Sequence, residues 1–176
     1  MWLKRLFDRS TADEVVSTPF KEIAYRGGIV KFSIPADWSE FYDEAGNGVY
    51  YKEEPDSGTL RLNVVTFTAP DETKEIEIYA LAESRAKLKA GKFMPLDNGN
   101  TLVTSQTESV ENGINIGLHV WELYNAPDPM NGRIATFSFT LLSRQMKQQK
   151  YILQMEMLDE QIRDAKFADE IGSLTA

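Results

Sequence analysis

Two runs with strand periodicity meet at Asn112-Gly113, and this dipeptide limits the fold more than any other feature of the chain. Asn-Gly supplies the left-handed pair of residues that a two-residue hairpin turn needs, because its twist matches that of the flanking strands. The runs on either side, Thr101 to Glu111 and Ile114 to Tyr124, are therefore neighbouring antiparallel strands. The first is rich in Thr, Ser and Gln and reads as an exposed or edge strand. In the second, Ile114, Ile116, Leu118 and Val120 alternate with Asn115, Gly117, His119 and Trp121. After a loop from Asn125 to Gly132, Ala135, Phe137, Phe139 and Leu141 share one face of a run over Arg133 to Leu142. Lys150 to Leu158 reads as a last strand, completing an antiparallel meander.

The same periodicity appears before the hairpin. Ile29 to Ile34 is a β-rich run stopped by Pro35, Val49 to Lys52 follows the turn Gly46-Asn47-Gly48, and Thr59 to Ala69 alternates Leu60, Leu62 and Val64 with the opposite face. Asp71, Glu72 and Glu75 suit the positive end of a helix running to about Lys89, with Ile78, Leu81, Ala82 and Leu88 as its apolar stripe and Gly91 as a left-handed stop. A second helix starts at Asp159 or Asp164 and carries Phe167, Ile171 and Leu174. The expected architecture is α+β: an α/β/α sandwich around one twisted antiparallel sheet of about seven strands, in the order β-β-β-α-β-β-β-β-α. Residues 1–23 read as an N-terminal extension and residues 24–176 as a single domain.

Charge and residue usage narrow the function. With 19 Lys and Arg against 27 Asp and Glu, the net charge of -8 repels phosphate backbones, so nucleic acid is not an expected partner. The absence of Cys and a single His, His119, exclude disulfides, thiolate nucleophiles and zinc sites built from Cys and His. His119 itself reads as a partly buried, hydrogen-bonded ring on a strand and not as a general base. Asp37, Glu40, Asp43 and Glu44 crowd one loop but lack the ligand alternation of a calcium loop, so they read as solvated charge. The glycine pairs at Gly27-Gly28 and around Asn47 match no phosphate-binding fingerprint. No metal and no cofactor is expected.

Two segments suit recognition of a protein partner. Glu40, Phe41, Tyr42 and Asp43 combine aromatic anchors with an acidic rim, and Pro127, Pro129 and Met130 furnish a loop with an adaptable thioether. Trp38, in contrast, is expected in the core. At the N-terminus, Trp2, Leu3, Leu6 and Phe7 stand against Lys4, Arg5 and Arg9, a pattern that allows contact with a membrane surface through this segment alone. The start lacks the apolar stretch of roughly 7 to 15 residues that a signal peptide needs, so a cytoplasmic location is expected.

The order of elements, with Ile34-Pro35-Ala36-Asp37-Trp38 ending the first strand, resembles the PsbP-like superfamily. The strand Leu60 to Phe67, the helix after Pro70-Asp71 and the stretch Phe167 to Leu174 are similar to its bacterial members, and the resemblance spans roughly Ala24 to Leu174. That group includes the photosystem II extrinsic protein PsbP, a Ran-binding nucleotide-release factor and many small bacterial proteins. The resemblance implies a sandwich fold used to dock macromolecules without catalysis. The expectation is a non-catalytic protein-binding module of a bacterial cell, of the adaptor, secretion-chaperone or immunity-factor kind; the alternative is a small-ligand-binding protein or an enzyme.

Overall fold

Alternating apolar residues on paired strands fuse into a continuous floor. In the computed structural model, which describes residues 19–170 apart from residue 72, β5 (Thr59–Thr68) lies beside β9 (Asn131–Leu142) and sets Leu60 opposite Phe139, Leu62 opposite Phe137 and Val64 opposite Ala135. Next come β8 (Ile114–Asp128), placing Trp121 against Phe137 and Leu123 against Ala135, and β7 (Thr101–Glu111), placing Leu102 against Leu123. Short strands β3 (Ser39–Tyr42) and β4 (Gly48–Tyr51) extend one side and β6 (Lys92–Pro95) the other. The result is a seven-stranded antiparallel sheet in the order β3-β4-β5-β9-β8-β7-β6.

One face of this sheet carries the main core. It is covered by helix α2 (Gln149–Arg163), through Tyr151, Leu158 and Ile162, and by a second sheet in which β1 (Phe20–Tyr25) and β10 (Lys166–Phe167) flank β2 (Val30–Pro35). Ile23, Tyr25, Val30, Phe32 and Ile34 of that small sheet pack into the same cluster, with the Phe32 ring edge-on to Phe137 at 5.0 Å. On the opposite face lies helix α1 (Ile78–Leu88), which rests on Val103 and Tyr124 through Ala82 and Ala86. Side chains this small let the helix axis come close to the sheet. Buried Glu122 fastens it further, accepting from Lys89 Nζ at 2.9 Å and facing Arg85 Nε at 3.8 Å.

At the Asn112-Gly113 turn both residues adopt positive φ, 50° and 78°, as the hairpin reading requires. Beyond it, β7 and β8 pair as far as Glu111 and Ile114, whereas β9 joins β8 only from Ile116 inward. Trp38 is buried, its ring stacked on Phe139.

Several expectations are corrected. Lys150 to Leu158 is helical, part of α2, and not a strand. Tyr151, Leu153, Met155 and Met157 do alternate, but Tyr151, Met155, Leu158 and Ile162 also recur at helical spacing, and all of this second set turns toward the core while Leu153 of the first is 55% exposed. Of the helix expected from Asp159 or Asp164, only Asp159 to Arg163 is helical, as the end of α2; Asp164 caps it, Phe167 lies in β10, and Ile171 and Leu174 are outside the described residues. The first strand of the sequence reading belongs to the small sheet, so the architecture has two sheets instead of one. Phe20 to Ile23, assigned to the N-terminal extension, pair in β1 with β2, while Trp2 to Arg9 lie outside the described residues. Helix α1 is shorter than expected: Asp71 closes a local turn by accepting from Thr73 N at 2.9 Å, Glu72 is not described, and Leu81 and Leu88 face solvent. The left-handed residue ending α1 is Ala90, φ 49°; Gly91 is needed because a Cβ there would meet the Thr104 carbonyl oxygen at 2.5 Å. Thr101 to Glu111 is an edge only beyond Thr104, since β6 covers its first residues.

Candidate functional site

The aromatic and acidic residues Glu40, Phe41, Tyr42 and Asp43 were expected in a loop, and the structure places the first three in strand β3. β3 pairs with β4 alone, so its outer edge leaves backbone groups unpaired by the sheet. Phe41 is 57% exposed and Tyr42 is also exposed. The strand is nevertheless firmly held. The Tyr42 ring stacks on Tyr25 at 6.1 Å, and its hydroxyl donates to Glu40 Oε1 at 2.5 Å. Burial, seconded by that hydrogen bond, raises the Tyr42 pKa. Asp43 accepts from the Asn47 backbone N at 2.8 Å and from its Nδ2 at 2.9 Å; these bonds, the side-chain one foremost, hold its carboxyl below the usual range. Arg26 Nη2 and the Tyr25 hydroxyl clamp the following turn through the Ala45 and Gly46 carbonyls, at 3.0 and 2.9 Å. Asp37 turns away to Lys52, 3.3 Å distant. The four carboxylates therefore do not converge on one point.

Pro127, Pro129 and Met130 were expected in a loop over Asn125 to Gly132, but β8 runs to Asp128 and β9 begins at Asn131, leaving only Pro129 and Met130 as the turn. Asp128 caps it, accepting from Met130 N at 2.8 Å. The Met130 and Pro129 carbonyls accept from Ala69 N and Ile76 N, both at 2.7 Å, so this turn seats the segment leading into α1. It is also remote from β3. Gly48, the partner of Tyr42, lies opposite Leu62, whereas Asn131 lies opposite Thr68, and those six residues of β5 span about 20 Å. The two expected recognition segments are separate places.

His119 behaves as its strand position implies. Its Nδ1 meets Gln106 Nε2 at 2.8 Å, its ring leans on Trp121 at 4.1 Å, and burial lowers its pKa despite the opposing charge of Asp159. It lines a groove of about 630 Å³ beside α2 with Met146, Met155 and Asp159, and no Ser, Thr or Tyr hydroxyl stands among the described residues of that wall. Asp159 binds Trp121 Nε1 at 2.9 Å.

Sequence reasoning missed one polar cluster. Arg133, in phase on β9 with the core residues Ala135, Phe137, Phe139 and Leu141, is 1% exposed. Its guanidinium donates to Asn125 Oδ1 through Nε at 3.1 Å and Nη2 at 2.7 Å, and Asn125 Nδ2 donates to buried Asn100 at 2.9 Å. The Phe167 ring lies 5.0 Å from the guanidinium carbon. An arginine in register with an apolar face was the available signal.

No family model and no curated protein matches this chain. Among solved structures, a protein from Bacteroides thetaiotaomicron VPI-5482 superposes at a TM-score of 0.60 with 16% identity over 87% of this chain, which spans half the length of that protein. LpqN, involved in cell envelope biogenesis of Mycobacterium tuberculosis, superposes at 0.56 with 11% identity, over 79% of this chain and 83% of its own. A cyanobacterial PsbP from Synechocystis sp. PCC 6803 is matched over 88% of this chain and 96% of its own, at 11% identity and a TM-score of 0.38. The first two superpositions show a shared overall fold. Identities this low concern the fold alone, and site residues have to be argued from the chain itself.

Proposed function

We propose that this protein is a non-catalytic binding module of the bacterial cytoplasm that docks an extended, basic segment of a partner protein along the outer edge of β3. The observation that carries the reading is Phe41: a phenyl ring 57% exposed on an edge strand whose neighbour Tyr42 is fixed by stacking on Tyr25. An exposed edge offers main-chain hydrogen bonds to an added strand, and an aromatic side chain beside it supplies the anchor. Glu40 stands next to that anchor, and the net charge of -8 steers basic segments toward it. Adaptor, secretion-chaperone and immunity-factor roles are all served by such an edge.

The test is capture of the partner from the native cell with the parent protein, followed by affinity and association-rate measurements on Phe41→Ser and Glu40→Lys. Phe41→Ser is expected to weaken binding at least about 30-fold, the loss typical of a central aromatic anchor. Glu40→Lys is expected mainly to slow association and to reduce its dependence on salt. Partner binding that both variants leave unchanged refutes the edge of β3 as the site.

A further inference from the structure

We infer that the cleft between β10 and the base of the β8–β9 hairpin binds a small anionic molecule through its carboxylate or phosphate oxygens, independently of any docking on β3. The cleft measures about 460 Å³, within the range of small-molecule sites, and Arg133 lines its wall. An almost fully buried guanidinium needs a counter-charge or a complete set of acceptors, because stripping water from a cation costs several kcal/mol. Arg133 has neither. Its Nε and Nη2 reach Asn125 Oδ1, Nη2 also reaches the Ala168 carbonyl at 2.5 Å, and Nη1 has only a 3.5 Å contact to the Glu170 carbonyl. All three acceptors are neutral, and among the described residues no carboxylate lies within ion-pair distance. Asp128 and Asp169 act on it only from further away, and the Asp128 carboxylate already accepts from Asn131 Nδ2 and Met130 N.

The other cleft groups are complementary to an anion. Asn100 is buried and accepts from Asn125 Nδ2, which leaves its own Nδ2 hydrogens without a protein acceptor among the described residues. Lys166, exposed on β10, forms no ion pair among the described residues. Asp169 is the sole acid of the described wall, so Arg133 and Lys166 against Asp169 give that wall a formal charge of +1, offset in part by Asp128 further away, on a chain of net charge -8. Phe167 over the guanidinium and Pro127 beside it give the occupant an apolar boundary. A donor-rich, locally positive recess in an acidic protein concentrates small anions.

The experiment is a titration of the ¹⁵N-labelled chain with acetate, succinate and inorganic phosphate at constant ionic strength, following the side-chain resonances of Asn100 and Asn125 and the Arg133 Nε–H. The expected result is a saturable shift confined to these groups for at least one probe, weakened at least tenfold by Lys166→Glu, accompanied by a melting midpoint that rises with probe concentration. Whichever probe saturates at the lower concentration distinguishes a carboxylate from a phosphate ligand. Arg133→Met should abolish the shift; should that variant fail to fold, Asn100→Leu serves in its place. Shifts that never saturate, that spread evenly over the surface lysines, or that Lys166→Glu leaves unchanged overturn the inference. Phe41→Ser should leave the titration intact, so failure of the docking site and failure of this cleft are read separately.

Discussion

Replacing Trp38 by Ala tests whether the turn between β2 and β3 is part of the core. Trp38 is 3% exposed, its ring lies nearly parallel to Phe139 with centroids 6.2 Å apart, and its carbonyl accepts from Lys21 Nζ. Burying an indole removes about 200 Å² from water, worth about 5 kcal/mol at about 25 cal/mol per Å². The full amount is not expected on deletion. The ring borders a groove of about 290 Å³ shared with Tyr151 and Met157, so neighbouring side chains and water can move into part of the void. Trp38→Ala should therefore cost about 3 to 4 kcal/mol. With a urea slope of about 2 kcal/mol per M, the midpoint should fall by about 1.5 to 2 M with the slope unchanged. Trp38→Phe, which keeps a ring against Phe139, should recover more than half of that loss. A shift below about 0.5 M for the alanine variant would refute the burial argument and make Trp38 a surface residue.

Two further predictions follow from close contacts. Burial depresses the His119 pKa below 6.5, so above that pH the ring is neutral in both folded and unfolded chains; as pH falls below it the unfolded chain takes up a proton that the folded one resists, and stability drops. Urea midpoints at pH 7.5 and 5.5 should thus diverge more for the parent than for His119→Gln, and an equal or opposite difference refutes the assignment. A Cβ on Gly58 would fall 2.0 Å from Phe139 Cζ and 2.8 Å from Leu141 Cδ2. Gly58→Ala should accordingly lower stability by about 1 to 3 kcal/mol, seen as a melting point reduced by about 2 to 4 °C per kcal/mol, and an unchanged melting point contradicts this packing.

Local turn chemistry and period-two patterning were readable because each is decided by adjacent residues. Asn112-Gly113 adopts the positive φ values it announces, and Leu60, Leu62 and Val64 form the face their alternation implies. Helix α2 was not readable, because Tyr151 to Leu158 satisfies both periods at once and only packing against the sheet selects one. Strand β3 escaped notice for a related reason: Ser39 to Tyr42 has no alternation of its own and is a strand through its pairing with β4, Glu40 opposite Tyr50 and Tyr42 opposite Gly48. Of the candidate site, the exposure of Phe41 was legible, but the distance between Phe41 and Met130 is set by strand order and register, which no local pattern encodes. The Arg133 cluster joins residues from β8, β9 and the segment before β7, so its charge alone, in phase with a core face, betrayed it.

The β7–β8 hairpin outreaches the rest of the sheet. Past Ile116 the chain continues as a two-stranded ribbon in which Val110 and Ile114 are exposed and Asn112 and Gly113 touch nothing that holds the core. A ribbon of two strands has little stability of its own, so the cooperative unit ends where β9 ends. Those last residues are a permissive graft point. A foreign peptide threaded between Asn112 and Gly113 would be carried as cargo, since doubling the length of a closed loop costs only about 0.6 kcal/mol. The ribbon would also hold that cargo away from the edge of β3, leaving it free for a partner.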